Sequence, residues 1–324
     1  MRQMRSIQIL LAAVVAGIVG TPTASWSQEV ETTPQVEAVA VASATENERF
    51  EGYRFLDADG RPLPFQSDEE IEKYLSSASV VSTKKIPVGV SHPRKVLLAG
   101  ESLRVNAVFK NVEIKKKNVR DPTSTGRARL YLMWRDSYVY DVAAYHLDRL
   151  LGLNRVPPII IRKLKGDSGS LQIWLEATIT ENDRRESGYE PPEIARFNQQ
   201  RETMHVFDNL SGNRDSNLGN CLIDRNWRLW FIDCSRCFGT SGDLLFPEAI
   251  THCDRRMWRA LNELDRSAAD EALSPYLTRA EIDALFVRRD KIVDHLQGLI
   301  DEWGEAPILF DQRPPTDTAP WTGQ

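Results

Sequence analysis

The sequence predicts an α+β fold in two lobes: a β-rich first lobe with one main helix, and a mainly α-helical second lobe. Three observations predict it. Between Val80 and Lys110 apolar and polar residues alternate, and Gly and Pro break the run into strands. From Asp136 to Leu151, DSYVYDVAAYHLDRLL, the period becomes helical: Val142, Tyr145, Leu147, Leu150 and Leu151 form one apolar stripe, and Gly152 is a natural stop. Beyond Glu193 the chain reads mainly as helices, interrupted by one polar stretch, Val206 to Gly239.

The chain has 324 residues, enough for two lobes around an ample core. Its net charge of -5 argues against nucleic acid or an anionic membrane as the main partner, because either needs a positive surface. The N-terminus reads as an export signal. Arg2 and Arg5 precede an apolar run, Ile7 to Gly20, broken only by Gln8, and small residues allow cleavage after Ala24 or Ser27. The run is short for a bilayer span. A cleaved signal and a periplasmic or secreted location are therefore expected, with a retained anchor as the alternative. No later segment is apolar enough to cross a membrane.

Residues 28–67 are expected to form a disordered tether and an arm, the arm carrying aromatics and a DADG turn. Residues 68–176 are assigned to the first lobe, 177–312 to the second, and 313–324 to a disordered tail. Asp68 to Ser77 is predicted as a short helix with an acidic first turn. Strands are predicted over Ala78–Ile86, Lys95–Leu98 and Leu103–Lys110, with the loop Pro87–Pro93 containing Gly89, whose backbone could cover phosphates. Residues 111–128 read as a polar, basic loop, and Arg129–Met133 as one further strand. After the main helix, VPPIIIRKL is a strand, Asp167–Gly169 a turn, and SLQIWLEA a strand that ends near Glu176. Arg184–Glu193 is a polar connector. Helices are predicted over Ile194–Leu210, Asp254–Leu264, Ala269–Ser274 and Arg279–Trp303. The last starts with a capping box, Thr278 to Glu281.

The stretch Val206–Gly239 carries the chemistry. Asp215 sits in a Gly-containing turn and Asn220 follows five residues later. CLID and WRLWFID read as two short strands joined by Arg225-Asn226, the second ending on Asp233. Two acids and an amide delivered together suit a phosphate-bound divalent cation and a positioned hydroxyl. Upstream, Lys110 ends an otherwise apolar strand, where it can enter a cleft and meet phosphate oxygens. Asp141 lies early in the main helix, one step off its stripe, within reach of such a lysine. Glu176 falls where the lobes join. Cys221, Cys234, Cys237 and Cys253 read as structural, with room for one disulfide: there is no second CxxC to complete a zinc set.

GNRDSNLGNCLID…WFID resembles the GNxDRHxxN…DxG region of the atypical kinases, the group of the phosphatidylinositol 3-/4-kinases, the HipA-type kinases and the secretory-pathway casein and xylose kinases. More closely, the chain is similar to exported bacterial kinase-like proteins. IPVGVSHPRKVLL, AVFK, YDVAAYHLDRLLGLNRVPP, GSLQIWLE, WRLWFIDCSRCF and RRDKIVDHLQGLID carry that likeness, roughly from Val80 to Phe310. The resemblance implies a protein-kinase-like fold and ATP with Mg2+ or Mn2+. It implies nucleotide binding by Lys110, with Asp141 orienting it, base chemistry at Asp215, and metal binding by Asn220 and Asp233. The acceptor would be a hydroxyl of a protein, glycan or small molecule. Three departures stand out. The family's helix glutamate is Asp141, its DRH is Asp215-Ser216-Asn217, and its DFG-like glycine is missing after Asp233-Cys234. They leave a pseudokinase, or an enzyme transferring AMP, as alternatives.

Overall fold

The computed structural model describes residues 55–87, 92–100, 102–122 and 128–312. The expected signal, tether, tail and Gly89 lie outside the described residues.

Helix α1 (Asp68–Ser77) is capped by Ser67 and buries Ile71 and Leu75. Strands β1 (Ser79–Lys85), β2 (Arg94–Gly100) and β3 (Leu103–Lys110) follow as antiparallel neighbours. After them, β4 (Glu113–Pro122) and β5 (Ala128–Ser137) pair only with each other, and α2 (Tyr138–Leu150) leads to β6 (Ile159–Leu164) and β7 (Asp167–Ile173). The main sheet has the order β1-β2-β3-β7-β6.

Three expectations fail here for physical reasons. Residues 111–128 are largely a strand, because β4 is matched to β5 from Glu113↔Ser137 to Pro122↔Ala128. Glu113 to Asn118 are exposed, so no apolar alternation betrays the strand. The main helix starts two residues later than predicted, at Tyr138, since Ser137 is its N-cap. The turn before β7 is Lys165-Gly166, both at positive φ, and not Asp167–Gly169. Gly169 is a strand glycine for another reason: a Cβ there would stand 2.3 Å from the Lys110 carbonyl oxygen.

The second lobe opens with β8 (Ile179–Thr180) and α3 (Glu181–Ser187). This helix falls across the predicted polar connector. ENDRRES has no apolar period; the Thr180/Asp183 capping box and the Arg184 and Arg185 pairs to Glu181 define it instead. Helix α4 (Ile194–Ser211) then feeds a one-turn 3-10 helix at Leu218–Asn220 and the strands β9 (Cys221–Ile223) and β10 (Leu229–Phe231). Beyond β11 (Cys253–Asp254) come α5 (Arg255–Glu263), α6 (Arg266–Leu273), α7 (Arg279–Trp303), α8 (Glu305–Ile308) and β12 (Leu309–Phe310). The predicted capping box of α7 is present. All four cysteines are buried and free, so no disulfide forms among them.

Two apolar cores result, and each borrows from the other lobe. Val105, Ala107 and Phe109 of β3 pack with Val96, Leu98, Leu171, Ile71 and Leu75, and this first-lobe core also contains Trp230 of β10. Val142, Ala143 and Leu147 of α2 belong to the second-lobe core, with Phe207, Leu210 and Leu285. Trp230 is fully buried, and its indole nitrogen donates to Asp224 Oδ2 at 2.9 Å. Asp224 also accepts from the backbone nitrogens of Asn226 and Arg228 at 2.8 and 3.1 Å. The β9–β10 connection therefore spans Asp224–Arg228, longer than the predicted Arg225-Asn226 turn. Asp224→Ala would orphan a buried N–H and two turn amides. It is expected to cost about 1–3 kcal/mol, read as a lower urea midpoint with unchanged slope.

Candidate active site

Lys110 ends β3, where side chains alternate between two faces. Odd-numbered Val105, Ala107 and Phe109 enter the first-lobe core, so Asn106, Val108 and Lys110 lie on the opposite face of the sheet. Lys110 Nζ lies 3.2 Å from Asp141 Oδ2 on α2 and 2.8 Å from Asp233 Oδ1. One cation thus joins three elements. Burial alone would lower the lysine's pKa, but Asp141 and Asp233 more than offset this and hold the ammonium well above its ordinary value.

The two carboxylates respond differently. Asp233 is lowered, chiefly by Lys110. Asp141 is pushed up to about 6, first by burial, with Lys110 opposing and Asp233 adding to the rise. One cation between two acids leaves one surplus negative charge, and the more buried acid takes up the proton.

Asp233 sits two residues past β10 in a left-handed conformation, φ 61, which aspartate tolerates better than most residues. Backbone bonds fix its surroundings. Ile232 N donates to Asn220 O at 3.1 Å, and Ser137 N donates to Ser235 O at 2.8 Å. Asn220 is therefore beside Asp233, as the spacing suggested. Its amide nitrogen donates to Asp215 O at 2.9 Å, leaving its side-chain oxygen as an acceptor.

Asp215 is half-buried and raised above its ordinary value, first by burial, with Arg236 opposing. Arg236 Nη1 donates to Asp215 Oδ2 at 3.0 Å, and its Nε donates to the buried Asp136 Oδ2 at 2.8 Å. The other Asp215 oxygen accepts from Asn217 Nδ2 at 3.1 Å. Ser216 donates to buried Asp208, which Asn213 also contacts. Buried Arg288 on α7 ties both ends of this region together. It donates to Leu210 O at 2.8 Å, Gly239 O at 3.1 Å and Ser241 O at 2.6 Å.

Glu176 lies past β7, apart from the Lys110 cluster. It accepts from Asn106 Nδ2 at 2.6 Å, and Lys95 Nζ is 3.6 Å away. Lys95 also lies 4.2 Å from the centre of the Trp174 ring. Glu176 thus anchors the far end of the β3 face that ends at Lys110, about 13 Å along the strand at 3.3 Å per residue. The sequence reading missed Arg236, Asp136, Lys95 and Trp174. Arg236 follows Asp233 by three residues, but that spacing does not show that it reaches Asp136 and Asp215. The other three become site residues only through strand pairing and the lobe junction.

Asn220 and Asp233 are the candidates to hold a divalent cation. Among the described residues no group of three or more His, Cys, Asp or Glu would hold a metal alone. Asp233 and Asn220 offer oxygens beside a surplus negative charge, so remaining ligands would have to come from phosphate or water.

No protein-family model and no curated protein matches the chain. Solved structures do. Fam20 from hydra, solved with a sugar, superposes with a TM-score of 0.58 at 16% identity, covering 84% of this chain and 99% of that one. The Golgi casein kinase gives a TM-score of 0.53 at 16% identity, covering 77% and 80% of the two chains. The same kinase with Mn and ADP bound gives 0.52 at 15% identity, covering 92% and 98%. The chain therefore has the two-lobed protein-kinase-like α+β fold that its sequence predicts.

A pH measurement checks the shared proton. The native apoprotein holds a proton on Asp141 up to about pH 6, whereas the unfolded chain gives it up near pH 4. Asp141 therefore makes stability fall as pH rises through that window. Asp141→Asn should remove about 1–3 kcal/mol of this fall, seen as a flatter difference curve in denaturation from pH 4 to pH 7.

Proposed function

We propose that the chain is an exported, ATP-dependent phosphotransferase of kinase type, acting on a hydroxyl of a protein, glycan or small molecule. The observation that carries this reading is the ammonium of Lys110 held between Asp141 and Asp233, with Asp215 and Asn220 on the adjoining turn. A lysine so fixed suits phosphate oxygens, and its helix partner keeps it from collapsing elsewhere. The β3 face from Asn106 to Lys110 has the length to carry a nucleotide, its base toward Glu176 and its phosphates toward Lys110. Asn220 and Asp233 would hold Mg2+ or Mn2+, which when bound neutralises phosphate charge. Asp215 would orient the acceptor hydroxyl and take its proton. The Mn and ADP of the Golgi casein kinase structure support this cofactor choice. The neighbours' names, a casein kinase and a Fam20 solved with a sugar, support a protein or glycan acceptor.

One observation favours a second reading, a nucleotide-binding module without turnover. Both Asp215 oxygens are engaged, one by Arg236 and one by Asn217. Each oxygen keeps a second lone pair, so turnover needs that remaining site, and not one of those already held by Arg236 and Asn217, to face the hydroxyl.

Thermal shift with Mg2+ or Mn2+ and ATP separates these readings from a wrong site. The wild type is expected to gain several degrees, and Asp233→Ala and Lys110→Met to lose most of the gain. Asp215→Asn should keep the shift. If the chain turns over, the same variant should lower phosphate transfer about a hundredfold or more, measured by mass spectrometry of products, which also tells added phosphate from added AMP. A shift in the wild type with no turnover under any acceptor class would leave the binding module.

Export is tested separately. Residues 1–27 fused to a reporter active only outside the cytoplasm should yield activity; a silent, stable fusion would remove export from the proposal.

A further inference from the structure

A second cavity, of about 290 Å3, lies between α4 and the segment Ser216–Cys221. None of Lys110, Asp141, Asp215, Asn220 or Asp233 lines it. Its apolar wall is made by Phe197, Met204, Leu218 and Leu229. The cation lining it is Arg201, half-buried, whose guanidinium makes no hydrogen bond or ion pair to any described residue. Glu181 is the one acid lining the cavity, and its two oxygens are already held by Arg184 and Arg185. The Cys221 thiol does not compete as an anion, since burial pushes it up to about 12. His205 turns its Nδ1 toward Ala249 O, 3.3 Å away.

A guanidinium that lines a partly enclosed cavity and pairs with no described residue is free to take an anion, and the one acid in the lining is already held by two other arginines. We propose that this cavity binds a small organic acid, its carboxylate on Arg201 and its flat apolar body against Phe197, Met204 and Leu218. A carboxylate fits better than a phosphate. One cation balances one charge, and the lining holds one arginine and no lysine for the second charge of a dianion. The volume suits a body about the size of a benzene ring.

The cavity is coupled to the cleft by its own wall. Asn217 lines it and donates to both the backbone and side-chain oxygens of Asp215, at 3.0 and 3.1 Å. Ser216 lines it as well and is anchored on Asp208. An occupant therefore orders the segment that carries Asp215. Binding itself does not depend on phosphoryl transfer in the cleft.

Benzoate is a suitable probe, with benzamide as its neutral match. Calorimetry on the full chain should give a benzoate Kd on the order of 1 mM. Benzamide, and benzoate with Arg201→Gln, should bind about tenfold more weakly or worse. Leu218→Trp, which fills the cavity and keeps the arginine, should also lose benzoate. Hydrogen exchange should slow across residues 213–221 when benzoate binds the wild type, and not in Arg201→Gln. Equal binding of benzoate and benzamide would overturn the proposal. So would wild-type affinity in either folded variant, unchanged exchange in that segment, or no binding to the wild type up to about 20 mM.

Discussion

The geometry of the cleft depends on one ammonium group. Lys110 reaches from the end of β3 to a helix acid and to an acid just past a strand of the other lobe. Removing a charge from water is costly, and the cost is offset only because two carboxylates lie within hydrogen-bond range. The arrangement is specific for the same reason. If β3 slipped by one residue, Lys110 would turn into the first-lobe core, where Phe109 and Ala107 now pack. The register from Lys95↔Val108 to Gly100↔Leu103 therefore sets both the hydrophobic core and the cation's position.

The turn beyond β10 meets that cation from below. Asp233 adopts a left-handed backbone, and its neighbours are pinned to Asn220 and Ser137. The Asp215 turn is pinned in turn by Asn220, Arg236 and the carbonyl clamp of Arg288. Few of these contacts are apolar. They are directional bonds in a half-buried region, which fixes positions while leaving oxygens facing the cleft.

Much of this was legible in the sequence, and the reasons differ by residue. Lys110 closes an alternating strand and Asp141 lies early in a strongly periodic helix, so period put each on its element, while their pairing rested on the order of parts along the chain. Asp215, Asn220 and Asp233 could be placed by short-range spacing within one turn and hairpin. Glu113–Pro122 was not legible as a strand, because its exposed lysines satisfy water on both faces and leave no alternation. Helix α3 was hidden for a similar reason, being set by caps and ion pairs instead of an apolar stripe. Arg236 needed tertiary contacts, since its partners Asp136 and Asp215 are 100 and 21 residues away. The cysteines read as structural with room for one disulfide, and each is a free, small apolar core residue.

The lobes exchange core residues, which bears on how the chain can be divided. Trp230 completes the first-lobe core from the second lobe, and α2 enters the second-lobe core from within the first. Neither lobe is a transplantable module. A cut near residue 176 would expose an indole on one fragment and its vacated socket on the other, so the two lobes are stable only as a pair.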